Sequence, residues 1–297
     1  MLFIENHWSS GKGKQFKSIN PFTGEIIWEG NFANASQINS AMNAAYNSHD
    51  RWSAESMRTR IKIIRKFYTL LEKNKLSMTN LIATETGKTI TDAASEVAAT
   101  LAKLNNSILA HKKRTGFKKS SHGAMQTSLE HSSHGVMSVV GPFNFPLHLP
   151  NGHITPALVA GNTIVYKPSE STPMIAEYTM MLWEKAGLPS GVINMIHGGK
   201  EIVQGLCKHP LNKGLLFTGS YKVGKQINKI MADYPEKILA LELGGNNPLV
   251  VWSTQKINAA VNLIFESAFI SSGQRCSCAR RLILPNSING KKILAKL

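Results

Sequence analysis

From Gly135 onward, short apolar runs alternate with longer stretches whose apolar positions recur every three or four residues. Runs at 136–140, 163–166, 192–196, 214–217, 238–241 and 249–252 read as strands. Stretches at 152–160, 174–186, 201–208, 223–233 and 256–271 read as helices that fill most of the gaps. Strands that are apolar throughout, each followed by a helix, predict βαβ units on a parallel sheet covered on both faces. Such a doubly wound α/β sheet binds ligands beyond the carboxyl ends of its strands.

The first 110 residues follow a different pattern. Two short runs, 17–19 and 25–28, flank Asn20-Pro21-Phe22-Thr23-Gly24, whose turn chemistry predicts a hairpin. Ser36 is a candidate cap for a helix carrying Ile38, Met42 and Tyr46 on one face. Met57, Ile61, Ile64, Phe67 and Leu71 mark a second, longer helix. Further helical stretches at 81–85 and 93–108 are separated near Gly87. Residues 117–134 are polar and rich in turn formers, with Met125 to Leu129 readable as one arm of an extended hairpin.

Composition narrows the class. With 297 residues, 42% hydrophobic and 18% charged, the chain has the makeup of a soluble globular protein with one large or two smaller domains. Charged or polar residues interrupt every apolar run before bilayer length, so no membrane partner is expected. The N-terminus lacks a basic segment followed by an apolar one, and the expected location is the cytoplasm. Three cysteines with no framework spacing suit a reducing compartment, and Cys207 reads as a small buried filler. The net charge of +16 is spread along the chain, densest at Lys112-Lys113-Arg114 and Lys118-Lys119. Spread in this way they form no aromatic-interleaved basic motif, and they predict a solvated basic surface that attracts anionic substrates, and no nucleic acid.

Five short segments carry candidate chemistry. Gly219-Ser220-Tyr221-Lys222-Val223-Gly224 joins a strand to a helix, where glycines admit a close ligand and free N–H groups face a phosphate. Its spacing is not that of the common dinucleotide fingerprint, and an ordinary turn reads the same way. Lys167 and Glu170 follow strand 163–166, at the edge where ribose hydroxyls need a carboxylate and a cation; two solvated charges would look alike. Glu242, flanked by Leu241 and Leu243, is a candidate general base if that flank desolvates it. Cys276 lies in a Gly-Gln-Arg-Cys turn beside Arg275 and Arg280-Arg281, cations that favour a thiolate; an inert buried thiol is the plain alternative, and Cys278 should point away from it. Asn144, in the stiff Pro142-Phe143-Asn144-Phe145-Pro146 turn, can present an amide donor to a developing oxyanion.

Taken in this order, the segments resemble the aldehyde dehydrogenase superfamily, from Asn20-Pro21-Phe22-Thr23-Gly24-Glu25 to the last strand near Leu284. The resemblance implies a fold with an NAD-binding domain at 1–243, an oligomerisation hairpin near 117–134, and the start of a catalytic domain at 244–297. It implies Cys276 as nucleophile, Glu242 as general base and Asn144 as oxyanion donor. It also implies that Lys167, Glu170 and the segment from Gly219 through Ser220, Tyr221, Lys222 and Val223 to Gly224 hold NAD, with Glu170 repelling the 2′-phosphate of NADP. The segments Phe145 to Ile154, Leu243 to Pro248 and Gly273 to Arg281 resemble members acting on an aldehyde that carries several carboxylates, with Arg275 as a candidate contact. Members of the superfamily are homo-oligomers and continue well beyond the position of Leu297. The implied chain is therefore C-terminally truncated, with its catalytic domain incomplete and its assembly compromised. A second expectation follows, that it only binds NAD or folds in part.

Overall fold

The computed structural model describes Met1–Leu297. Two antiparallel hairpins open the chain, Leu2–Ile4 (β1) with His7–Ser9 (β2) and Gln15–Ile19 (β3) with Ile26–Asn31 (β4). The second is the hairpin expected from the turn at Asn20–Gly24. The first has strands too short to show a period.

Five helices follow: Ala35–Ala54 (α1), Met57–Lys73 (α2), Lys75–Thr86 (α3), Ile90–Leu101 (α4) and Lys103–Arg114 (α5). Asn34, rather than Ser36, caps α1. Its side chain accepts the Gln37 N–H while the Gln37 side chain accepts the Asn34 N–H, a reciprocal box that Ser36 has no partner to make. The buried stripe of α1 runs through Ile38, Ala41, Met42 and Ala45, and Tyr46 faces solvent. The stretch expected as one helix at 93–108 is two, divided at Ala102, and no residue there marks the break. Lys118–His122 (β5) and Met125–Leu129 (β6) then form a hairpin with every residue exposed, so it projects from the body.

The regular part alternates as the apolar pattern requires: Val136–Val140 (β7), His148–Val159 (α6), Thr163–Lys167 (β8), Pro173–Lys185 (α7), Ile193–Met195 (β9), Lys200–Lys208 (α8), Asn212–Gly219 (β10), Tyr221–Met231 (α9) and Ile238–Leu243 (β11). The sheet order is β11-β10-β7-β8-β9-β1-β2. Its first five strands are parallel, and the β1–β2 hairpin extends the far edge antiparallel. Successive strands are laid down outward from β7 to β9, and the chain then returns to place β10 on the other side of β7. The crevice between β7 and β10 is thus the point where the order reverses, the usual ligand position in such sheets. Every residue of β7 and β8 is buried, which explains apolar runs without alternation.

Two cores flank this sheet. One holds Trp52, Phe67 and Trp183, with the Phe67 and Trp183 rings stacked at 3.8 Å. The other holds Ile38, Met42, Leu215, Phe217 and Ile227. The last residues form a separate layer, in which Asn247–Val250 (β12) pairs in parallel with Ala279–Ile283 (β13). Ile257–Phe269 (α10) and Ile288–Lys296 (α11) cover it around Ala260, Ile264 and Ile293.

Helices α6 and α7 begin without a side-chain cap of their own. Carboxylates from the N-terminal helices replace it. Glu96 of α4 accepts the Leu147 and His148 N–H groups at 3.0 and 3.1 Å, and Glu85 of α3 accepts those of Met174 and Ile175 at 2.8 and 2.9 Å. Each satisfies orphan donors at the positive end of a helix. Burial pushes Glu85 up to about 8, against the opposing pull of these two hydrogen bonds. Between the unfolded value of 4.5 and about 8, the folded chain holds a proton that the unfolded chain has lost. Glu85 therefore favours the fold below the lower value, and this contribution is lost as pH rises through the upper one. Melting temperatures across that window should fall with pH in the parent chain and fall less in Glu85→Gln, whose amide does not titrate.

Candidate active site

At the carboxyl ends of β7, β8, β10 and β11 lies a cavity of about 740 Å³. Asn144, Lys167, Glu170, Gly219, Ser220, Val223, Glu242 and Cys276 all line it. Strand registers explain the convergence. Val140 is level with both Lys167 and Phe217, so the loops leaving β7, β8 and β10 start at one height. Lys167, the last residue of β8, is buried; its Nζ donates to the Gly198 carbonyl at 2.6 Å and pairs with Glu170 at 3.0 Å. Burial lowers the Lys167 pKa and the Glu170 carboxylate raises it. The pair leaves Glu170 partly exposed and facing the cavity.

Gly219 ends β10, and Ser220 caps α9 by accepting the Val223 N–H at 3.3 Å. This brings the helix N-terminus to the cavity wall. Three of the expected phosphate-loop residues stand elsewhere. Tyr221 and Lys222 are exposed and off the wall, because they occupy the outward side of the first turn of α9. Gly224 is buried, and a Cβ there would collide with Leu243, so this glycine lets α9 lie close on β11. Glu242 reaches the cavity but is exposed. The desolvation expected from Leu241 and Leu243 is absent because β11 is an edge strand with nothing packed beyond it.

Cys276 follows a tight turn at the end of α10. Ser271, Ser272 and Gly273 all take left-handed backbone, with φ of 57°, 55° and 69°. For the two serines this costs about 1–2 kcal/mol each, so the turn needs outside support. Arg275 Nε donates to Ser271 Oγ at 2.9 Å, Gln274 Nε2 to the Thr86 carbonyl at 2.9 Å, and Arg280 to the Gly273 carbonyl at 2.8 Å. Asn144 Nδ2 donates to the Gln274 carbonyl. The amide expected to face an oxyanion is thus turned toward backbone two residues before the cysteine. Cys276 is exposed at the mouth, whereas Cys278 is buried with its thiol on the Ile270 carbonyl at 3.7 Å. The two side chains point apart, as their spacing requires. Cys207 is buried as well, and burial pushes its thiol up to about 11.

Two groups near the site escape sequence reading. Beneath the Cys276 turn, Lys88 and Glu96 form a fully buried ion pair at 2.8 Å. Lys88 Nζ also sits 3.5 Å from the Phe145 ring centroid, and the Arg275 guanidinium lies 5.7 Å from the same ring. On the opposite side, His153 of α6 lies 3.5 Å from Thr218 Oγ1, and its pKa is lowered by burial while Glu242 raises it. Neither group has a local spacing signal, since each is made by packing between elements distant in sequence.

The arrangement can hold an elongated anionic ligand: a carboxylate–ammonium pair at one end, a helix N-terminus in the middle, and a thiol with a carboxylate at the other. No cluster of His, Cys, Asp or Glu is arranged to hold a metal, and no helix is long and apolar enough to cross a membrane.

Residues 8–297 match the Aldehyde dehydrogenase family. The N-succinylglutamate 5-semialdehyde dehydrogenase of Salmonella heidelberg (strain SL476) is 48% identical over 296 residues, covering 100% of this chain and 60% of that protein. Among solved structures, a mutant Aldehyde Dehydrogenase C of Pseudomonas syringae in complex with NAD+ and octanal superimposes with a TM-score of 0.91 at 27% identity, over 99% of this chain and 61% of that one. An E. coli NADP dependent enzyme superimposes with a TM-score of 0.92 at 27% identity, over 99% and 62% respectively. The chain spans about 60% of the length of the curated relatives it matches.

Proposed function

Because the chain belongs to the aldehyde dehydrogenase family, we propose that it serves the oxidation of an aldehyde to an acid with NAD as hydride acceptor. One observation carries the reading: Asn144, Lys167, Glu170, Gly219, Glu242 and Cys276, drawn from five separate segments, line a single cavity. The residues suit a dinucleotide. Lys167 and Glu170 are placed for ribose hydroxyls, the α9 N-terminus with Ser220 suits a pyrophosphate, and about 740 Å³ is room for such a ligand. NAD, when bound, supplies the hydride acceptor.

The chain's own residues supply the rest. The Cys276 thiolate attacks the aldehyde carbon, forming a C–S bond and an oxyanion. Asn144 stabilises that oxyanion once its amide leaves the Gln274 carbonyl. Departure of hydride converts the adduct to a Cys276 thioester. Glu242 then takes a proton from water, whose oxygen attacks the thioester carbon, and the carboxylic acid leaves as the thiol is restored. Residues 1–243 constitute the nucleotide-binding part in this account, 244–297 bring the nucleophile, and the projecting β5–β6 hairpin is an inter-subunit contact.

For the substrate we propose N-succinylglutamate 5-semialdehyde or a close analogue. Support comes from the 48% identity to dehydrogenases of that name and from Arg275 and Arg280 on the cavity wall, cations suited to carboxylates. The test is NADH formation with this semialdehyde, set beside an uncharged aldehyde and beside NADP. A clear preference for the acidic aldehyde and for NAD is expected, and equal rates with an uncharged aldehyde or with NADP would remove the corresponding assignment. The exposure of both Cys276 and Glu242 favours a second reading, binding of NAD without turnover, because water is not excluded from either group. Saturable NAD binding with no NADH from any aldehyde would decide for it.

A further inference from the structure

Helix α2 buries Ile64, Phe67 and Leu71 and turns Arg58, Lys62, Arg65 and Lys66 outward. Lys112 of α5 and Lys185 of α7 face the same side, and the six together line a groove of about 990 Å³ on the body of the molecule. All six are exposed, none enters any ion pair, and no Asp or Glu lines the groove. A merely solvated surface intersperses the two signs, whereas like charges around a concavity reinforce one another's field. None of the six lines the cavity that holds Cys276.

We propose that this groove binds a nucleic-acid duplex through its phosphate backbone, without reading base sequence. Three features select that occupant. Charge complementarity requires a polyanion. Apart from Thr69 and the half-buried apolar floor of Met57, Ile61 and Leu70, the groove offers only cationic donors. A peptide brings as many N–H donors as acceptors and would leave the former unmet, while a phosphodiester backbone presents acceptors alone. No aromatic side chain lines the groove, so it lacks the stacking platform of single-strand binders. This differs from the expectation drawn from scattered cations. Helical spacing and the packing of α5 and α7 gather residues that lie up to 127 positions apart, from Arg58 to Lys185.

The experiment is fluorescence anisotropy of two unrelated DNA duplexes of about 20 base pairs, titrated with the full chain between about 50 and 200 mM salt. Both duplexes should bind equally, and log K should fall with log salt at a slope of about −4 to −5, as for five or so neutralised phosphates. The variant K62E/R65E/K66E should lose roughly tenfold or more in affinity and about half of that slope. The variant K291E/K292E/K296E, an equal change of charge at α11, should stay within about twofold of the parent. Circular dichroism of both variants establishes that they fold. Absence of binding at the lowest salt would overturn the proposal, as would equal loss in both variants, which would mean net charge alone. Tighter binding of poly-glutamate than of DNA would reassign the groove to an acidic polypeptide.

Discussion

Replacing Cys276 with serine should lower NADH formation by about a thousandfold or more while leaving NAD binding intact. The hydroxyl is held by the same turn, but at neutral pH it has no ionised fraction to attack a carbonyl. NAD contacts in this account come from Lys167, Glu170 and the start of α9, on the other walls of the cavity, so affinity should not move. The companion variant Glu242→Gln separates the two halves of the reaction. One NADH per chain should form rapidly, after which the thioester persists, visible as an acyl mass increment on the peptide containing Cys276. An increment on Cys278, or full turnover in the serine variant, would displace Cys276 from its role.

The largest effect on stability should come from Glu96→Ala. Its carboxylate makes three contacts: one balances the buried Lys88 ammonium and two cap α6 through N–H groups. Truncation leaves a buried cation without its counter-charge, which costs about 3–5 kcal/mol, and orphans two helix donors as well. Burial already lowers the Lys88 pKa, and loss of Glu96 removes the main influence that raises it. Urea unfolding should show the full loss in Glu96→Ala and recovery of much of it in the double variant Lys88→Met with Glu96→Leu, where no charge is buried. A loss below about 1 kcal/mol in the single variant would show that the pair is not the buried strut described here. Because Gln274 hangs on the Thr86 carbonyl at the end of α3, the same variant should also loosen the Cys276 turn and speed alkylation of its thiol.

What could be read from the sequence follows from how local each signal is. Strands β7 and β8 were legible because burial on both faces makes them uniformly apolar, while β1, at three residues, shows no pattern and finds its place only by pairing with β9. The cap of α1 is not fixed by residue type, since Ser36 and Asn34 are both good caps and only the Gln37 reciprocal bond distinguishes them. At the site, residues fixed to strand ends or turns line one cavity: Asn144, Lys167, Glu170, Gly219, Glu242 and Cys276. Side-chain environment is less legible in the sequence. Neighbouring leucines do not desolvate Glu242 on an edge strand, and Tyr221 and Lys222 leave the wall because a helix turns by its own period. The Lys88–Glu96 pair and the basic groove were invisible, because both arise from helices packed together by the cores and not from spacing along one segment.

The crevice between β7 and β10, with Cys276 at its mouth, is the proposed nicotinamide dinucleotide site. Calorimetric titration of NAD into the purified chain tests it most directly, run alongside Glu170→Ala and Cys276→Ser. Saturable binding at one NAD per chain is expected, weakened roughly tenfold or more in Glu170→Ala, where hydrogen bonds to a charged acceptor are lost, and unchanged in Cys276→Ser. No saturable binding, or equal affinity in the parent and Glu170→Ala, would contradict it.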